Sequence, residues 1–152
     1  METLSKSKWK SLLARAKRGE PDAEWEVGYY YENGAQDKSG KLVAQNDPVK
    51  ALNWYALSAK QGYVHAQVSM SNILSSGDTV EHDYPAAIKW AQLAIAQGSA
   101  TAAHNLATIY RDLGKPSKAF RAYRHAVEMG STDSLLEVGF CHLFGFGTKQ
   151  DF

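Results

Sequence analysis

Three stretches of this chain are variations on one string: KALNWYALSAKQG at residues 50–62, AAIKWAQLAIAQG at 86–98 and KAFRAYRHAVEMG at 118–130. Each ends in glycine, and a small residue follows four positions on: Gly62 then Ala66, Gly98 then Ala102, Gly130 then Ser134. A weaker copy, SLLARAKRG at 11–19, sets Gly19 before Ala23. The glycine-to-glycine steps are 43, 36 and 32 residues. Periods of that size mark stacked supersecondary units, each of which buries its apolar face against its neighbours.

Each unit reads as two helices. The first follows the Gly-x3-small junction, and four segments align without gaps: 22–34, 65–77, 101–113 and 133–145. Their first column holds Ala23, Ala66, Ala102 and Ser134; four residues on stand Val27, Met70, Leu106 and Val138. The next column is Gly28, Ser71, Ala107 and Gly139, and three further on come Tyr31, Leu74, Tyr110 and His142. Spacings of four, five and eight share one helical face. Small residues there let a neighbouring helix approach, and large apolar ones fill the space beside it. A glycine inside a helix costs about 1 kcal/mol against alanine, so Gly28 and Gly139 are expected to mark close packing. Gly34, Gly77 and Gly145 are expected to end these helices in a left-handed cap.

The second helix carries the string quoted first. Ala51, Ala87 and Ala119 form one column, and Trp54, Trp90 and Ala122 another. Asp47 and Asp83 are the expected N-caps, with Pro48 and Pro85 in the first turn. Ser117 stands just before the third such helix. Alternation at the strand period is confined to the short Lys41–Ala44 region of a loop.

The unit A-x-x-x-L-G-x-x-Y-x-x-G, a loop to Asp, then K-A-x-x-W-Y-x-x-A-A-x-Q-G resembles the SEL-one-like repeat, a relative of the tetratricopeptide repeat. The first unit carries it at Ala23, Val27, Gly28, Tyr31, Gly34, Asp47, Lys50, Ala51, Trp54, Tyr55, Ala59, Gln61 and Gly62. The second carries it at Ala66, Gly77, Asp83, Ala87, Trp90, Gln97 and Gly98. The third is degenerate, with Ala122 in place of the Trp, and the fourth has only its first helix before the family-like loop 145–151. The resemblance implies an all-α fold of αα-hairpin repeats stacked as a right-handed superhelical solenoid, the first helices lining the concave side. The expected organisation is a single domain: a basic capping helix over 1–21, then repeats over about 22–64, 65–100 and 101–132, and a partial one over 133–152.

Bulk properties narrow the function. The formal net charge of +1 gives no reason to expect nucleic-acid binding. Lys6, Lys8, Lys10, Arg15, Lys17 and Arg18 crowd the N-terminus, as a solvated cap would. Cys141 is the single cysteine, so no internal disulfide forms. The first ten residues hold no apolar run like a signal peptide's, and no stretch reaches the roughly 18 apolar residues of a membrane span. A cytoplasmic protein with no membrane contact is expected.

Nothing in the sequence asks for catalysis. The histidines at 65, 82, 104, 125 and 142 form no His-x3-His pair and no zinc spacing with cysteine. Phosphate-loop and nucleophile-elbow motifs are missing, and Ser39–Gly40–Lys41 has the wrong order for the former. No cofactor or metal is expected. The expected role is a protein-interaction module or adaptor.

The resemblance places the binding surface in the columns that packing leaves free. These are Glu26, Ser69, Asn105 and Glu137; then Tyr29, Asn72, Thr108 and Phe140; then Asn33, Ser76, Asp112 and Phe144. Asn33, Asn72 and Asn105 suit an extended peptide, because amides both donate and accept. A second candidate is the first loop, Ala35–Val49, about seven residues longer than its counterpart and carrying Lys38 and Lys41. Two alternatives share the scaffold. Short bacterial proteins resembling this family include immunity proteins that neutralise a cognate toxin. The unfinished last repeat is also expected to expose Leu136, Phe140, Leu143, Phe144 and Phe146, which invites self-assembly.

Overall fold

The computed structural model describes residues 2–148, in two compact units that divide after Ile73. It is a helical-repeat solenoid with eight helices among the described residues. The expected loop 145–151 and last repeat 133–152 extend beyond the described residues.

In the first unit, β1 (Glu2–Thr3) leads into α1 (Lys6–Lys17) and α2 (Pro21–Asn33). β2 (Ala35–Gln36) and β3 (Leu42–Ala44) follow, then α3 (Pro48–Lys60) and α4 (Val64–Ser76), whose last turn crosses into the second unit. Leu4, Leu12 and Ala16 pack with Ala23, Val27 and Tyr30 to form the core, and the Trp9 ring meets Tyr30 and Tyr31 edge-on at 6.0 and 5.6 Å. The basic helix therefore closes the α2 side of the unit, with its lysines exposed. Arg15 is engaged by Glu20 at 2.7 Å and by Asp22.

The α2–α3 hairpin shows why the small column exists. A Cβ on Gly28 would stand 2.7 Å from the Tyr55 ring of α3, closer than such atoms approach. Tyr55 is 1% exposed, and its hydroxyl donates to Glu32 Oε2 at 2.6 Å. α3 begins as expected: Asp47 accepts from the Lys50 backbone N–H, and Pro48 opens the helix.

The first loop is more ordered than its composition suggests. β2 pairs parallel with β1 and antiparallel with β3, with a bulge between Ala35 and Gln36. Asp37 Oδ1 accepts from the Ser39 and Lys41 backbones, and Asn46 donates to the Glu32 carbonyl. Strands of two and three residues leave almost no periodicity to read, so only β3 left a trace in the sequence.

The second unit holds α5 (Tyr84–Ala96), α6 (Ala100–Asp112), α7 (Pro116–Glu128) and α8 (Asp133–Phe144), each packed on the next. Asp83 caps α5 through the Ala86 N–H at 3.0 Å. Ala107, Ala119, Phe120, Tyr123 and Cys141 form its core. Degenerate as it is in sequence, the third repeat still folds as the α6–α7 hairpin. Two expectations are corrected here. Helix α7 starts at Pro116, which supplies the fixed φ of a first helical position, so Ser117 lies inside it. Gly139 has no atom within 4 Å of its Cβ position among the described residues, so it does not mark close packing there. The caps also differ: Gly145 is left-handed, whereas Gly34 combines φ 71° with an extended ψ of 156° that turns the chain into β2.

Candidate functional site

The first unit gathers five of the expected surface residues on α2 and α4. Trp25 anchors this face. Its Nε1 donates to Ser69 Oγ at 3.2 Å, which fixes the indole plane. Tyr29 stacks on it with centroids 6.0 Å apart and planes 30° from parallel. Tyr63 and His65 also lie against it, at 6.1 and 5.5 Å. Glu26 and Tyr29 are half-buried, and Asn33 and Asn72 are exposed. Asn33 Nδ2 donates to the Tyr29 carbonyl of its own helix at 2.9 Å. Ser69 is thus occupied in holding Trp25. Tyr29 lies beside the larger Trp25 and is held by it rather than loose.

The loop candidates stand apart from this face. Lys38 and Lys41 are exposed, and Lys38 lines an open depression with Thr3, Ser5, Lys6, Asp37 and Ser39. The hydroxyls and Asp37 largely satisfy one another: Asp37 Oδ1 also takes the Ser39 hydroxyl at 2.5 Å. Burial is not available there to strengthen a contact.

The second unit disperses its share. Thr108 Oγ1 donates back to the His104 carbonyl at 3.3 Å and lies 3.4 Å from the Tyr123 hydroxyl, so it serves the α6–α7 packing. Asp112 is exposed beside Arg111 at 3.4 Å. Asn105 lies half-buried at a polar cavity of about 270 Å³ with His104, Ser131 and Asp133. His104 Nδ1 lies 2.8 Å from the Ser134 hydroxyl, which is fully buried at the α8 N-terminus. The pair joins α6 to the start of α8. Phe140 and Phe144 stack on each other, exposed, beside a cavity of about 300 Å³ lined by Tyr123, Cys141 and Phe146. Burial raises the Cys141 thiol above its ordinary value, which suppresses its reactive thiolate. Among the described residues no cluster of His, Cys, Asp and Glu is placed to hold a metal ion.

Sequence reasoning missed one buried carboxyl. Glu24 reads as part of an acidic run, yet it is 4% exposed and accepts from Gln61 Nε2 at 2.7 Å. Its signal was the repeat itself, since Gln61–Gly62 recurs as Gln97–Gly98. Burial pushes the Glu24 carboxyl above its ordinary value, and the Gln61 bond only partly opposes this. A raised folded value means that the neutral acid is the form the fold favours. The stability it contributes is complete below the unfolded value and is lost as pH rises through the folded one. Glu24→Gln keeps an acceptor for Gln61 without the charge. Its expected effect is a higher melting temperature than wild type at pH 7 and none near pH 4 (below the unfolded value), read by calorimetry at both.

The comparisons agree with this architecture. The Sel1 repeat profile matches residues 21–63, 64–99 and 132–152. The chain belongs to the Sel1 repeat family. The matched segments leave out the α6–α7 region, where Ala122 replaces the tryptophan. Sel1 repeat proteins are generally protein-interaction modules, on a fold that is typically a non-enzymatic scaffold. Among solved structures, this Sel1 chain is similar to a protective antigen present in uropathogenic Escherichia coli strains and displaying an SLR fold. The TM-score is 0.80 at 31% identity, over 95% of this chain and 30% of that one. It is also similar in fold to a Sel1 repeat protein from Oxalobacter formigenes, with a TM-score of 0.76 at 23% identity, over 96% of this chain and 57% of that one. The chain thus spans about a third and somewhat over half of these two relatives. No curated protein matches the sequence. No helix among the described residues is long and apolar enough to cross a membrane.

Proposed function

We propose that this Sel1 repeat protein is a non-enzymatic interaction module that takes a segment of a protein partner on the α2–α4 face of its first unit. The observation that carries the reading is the Trp25–Tyr29 stack, held in place through Ser69. A fixed aromatic surface loses little conformational freedom on binding, and Trp and Tyr dominate interface energetics. Asn33 and Asn72 flank it with amides that match a peptide backbone. The Lys38–Lys41 loop offers charge in full solvent, where a contact is worth little.

A photo-crosslinking residue placed at Tyr29 tests the assignment in an extract of the native source. The expected result is one discrete adduct from position 29 and none from position 38. Adducts from position 38 alone transfer the site to the loop, and the α2–α4 reading fails.

A further inference from the structure

The two helices that build the aromatic face are charged in one sense only. α2 carries Asp22, Glu24, Glu26 and Glu32 with no lysine or arginine, and α4 carries no Asp, Glu, Lys or Arg. Most of these carboxylates are already engaged. Asp22 pairs with Arg15, Glu24 accepts from Gln61, and Glu32 accepts from the Tyr55 hydroxyl. Glu26 is the exception. It is half-buried, yet among the described residues its side chain has no hydrogen-bond or ion-pair partner. The same repeat column shows what such a residue can hold, since Glu137 of α8 faces Arg111 at 3.9 Å.

Glu26 and Tyr29 stand three residues apart and so share one side of α2. Tyr29 in turn extends the Trp25 ring into a stacked surface. A carboxylate beside aromatic faces suits a cation, because the ring quadrupoles attract positive charge and partial burial strengthens both attractions. We propose that this face recognises an arginine side chain of the partner segment, its guanidinium plane lying on the Tyr29–Trp25 surface and its N–H fork turned to Glu26. The proposal rests on the α2–α4 reading and gives the partner a chemistry. Arginine fits better than lysine. A planar, weakly hydrated guanidinium stacks on a ring while donating two parallel hydrogen bonds to a carboxylate, whereas an ammonium is a compact, strongly hydrated point charge. An acidic segment would meet Glu26 and find no lysine or arginine on either helix. A purely apolar segment would bury Glu26 without a partner, which is costly.

The probes are acetyl-Gly-Arg-Gly-amide and its lysine and citrulline counterparts. Each is titrated over about 1–50 mM into isotope-labelled protein while the Trp25 indole N–H resonance is followed by NMR. The arginine peptide is expected to shift that resonance with saturation. Citrulline keeps the shape without the charge and is expected to bind about fivefold more weakly, and lysine about threefold more weakly. Glu26→Gln removes no contact that the fold uses. It is expected to bind the arginine peptide about fivefold more weakly and the citrulline peptide as wild type does, the coupling a direct pair requires. A Trp25 resonance indifferent to the arginine peptide overturns the proposal. So does equal binding of the citrulline or lysine peptide, or an unchanged affinity in Glu26→Gln. Sequencing the adduct from position 29 separates this proposal from the reading beneath it. A discrete adduct whose captured segment lacks arginine leaves the α2–α4 site standing and overturns its arginine preference. Arginine-peptide binding as expected, with no adduct, supports the preference and counts against the partner reading alone.

Discussion

Gly28→Leu is expected to unfold the first unit under conditions where the wild type is intact. Even a Cβ at this position would come within 2.7 Å of the Tyr55 ring and 3.3 Å of the Ala51 carbonyl. The ring has nowhere to go, since it is 1% exposed and tied to Glu32 through its hydroxyl. Overpacking of a filled core costs about 1–3 kcal/mol and sometimes more, and a whole leucine side chain belongs at the upper end. Better helix propensity returns no more than about 1 kcal/mol. Gly139 supplies the control, because it occupies the same column in α8 with open space beside it. Gly139→Ala is expected to stabilise by about 0.5–1 kcal/mol, the ordinary gain of alanine over glycine in a helix. Urea titrations of the two variants should therefore move in opposite directions from wild type. Trp9, Trp25 and Trp54 report the first unit and Trp90 the second, so fluorescence shows which unit responds.

Tyr55→Ala attacks the same joint from the other side. It leaves the notch at Gly28 empty and removes the hydroxyl that Glu32 accepts. Truncating a fully buried aromatic costs about 3–5 kcal/mol, which is a large part of a small domain's stability. Tyr55→Phe keeps the ring and loses only the hydrogen bond, with an expected cost of about 1 kcal/mol. Gly28 and Tyr55 touch, so their substitutions should not add. The double variant Gly28→Leu with Tyr55→Ala is expected to be more stable than the sum of the two single effects implies, because the leucine fills the vacated space. Additive losses would mean that the two residues are not the paired knob and notch described here.

Most of the scaffold was legible because a repeat states its rules several times. The columns through Ala23, Val27 and Gly28, the capping Asp47 and Asp83, and the turn glycines each recur, so chance matches cancel. Singular features were illegible for the same reason. The strand pairing of β1 and β2 involves two residues from each, too few for any period. The burial of Glu24 depends on Gln61, 37 positions away. Gly139 shares a column with Gly28 but lacks the aromatic that gives Gly28 its meaning, and no local pattern distinguishes the two. The candidate columns mixed residues that pack internally with residues that face solvent. The sequence could not tell that Ser69 holds Trp25 or that Thr108 serves its own hairpin, since a hydroxyl's partner is a matter of tertiary placement.

The proposed recognition of a partner through the aromatic face of α2 and α4 rests on Tyr29. Calorimetric titration of the partner captured from position 29, against wild type, Tyr29→Ala and Lys38→Ala, tests it most directly. Tyr29→Ala is expected to weaken binding at least tenfold, the loss of an aromatic hot spot worth about 2 kcal/mol, while Lys38→Ala changes it less than twofold. Unchanged affinity for Tyr29→Ala, with the loss appearing at Lys38 instead, would contradict it.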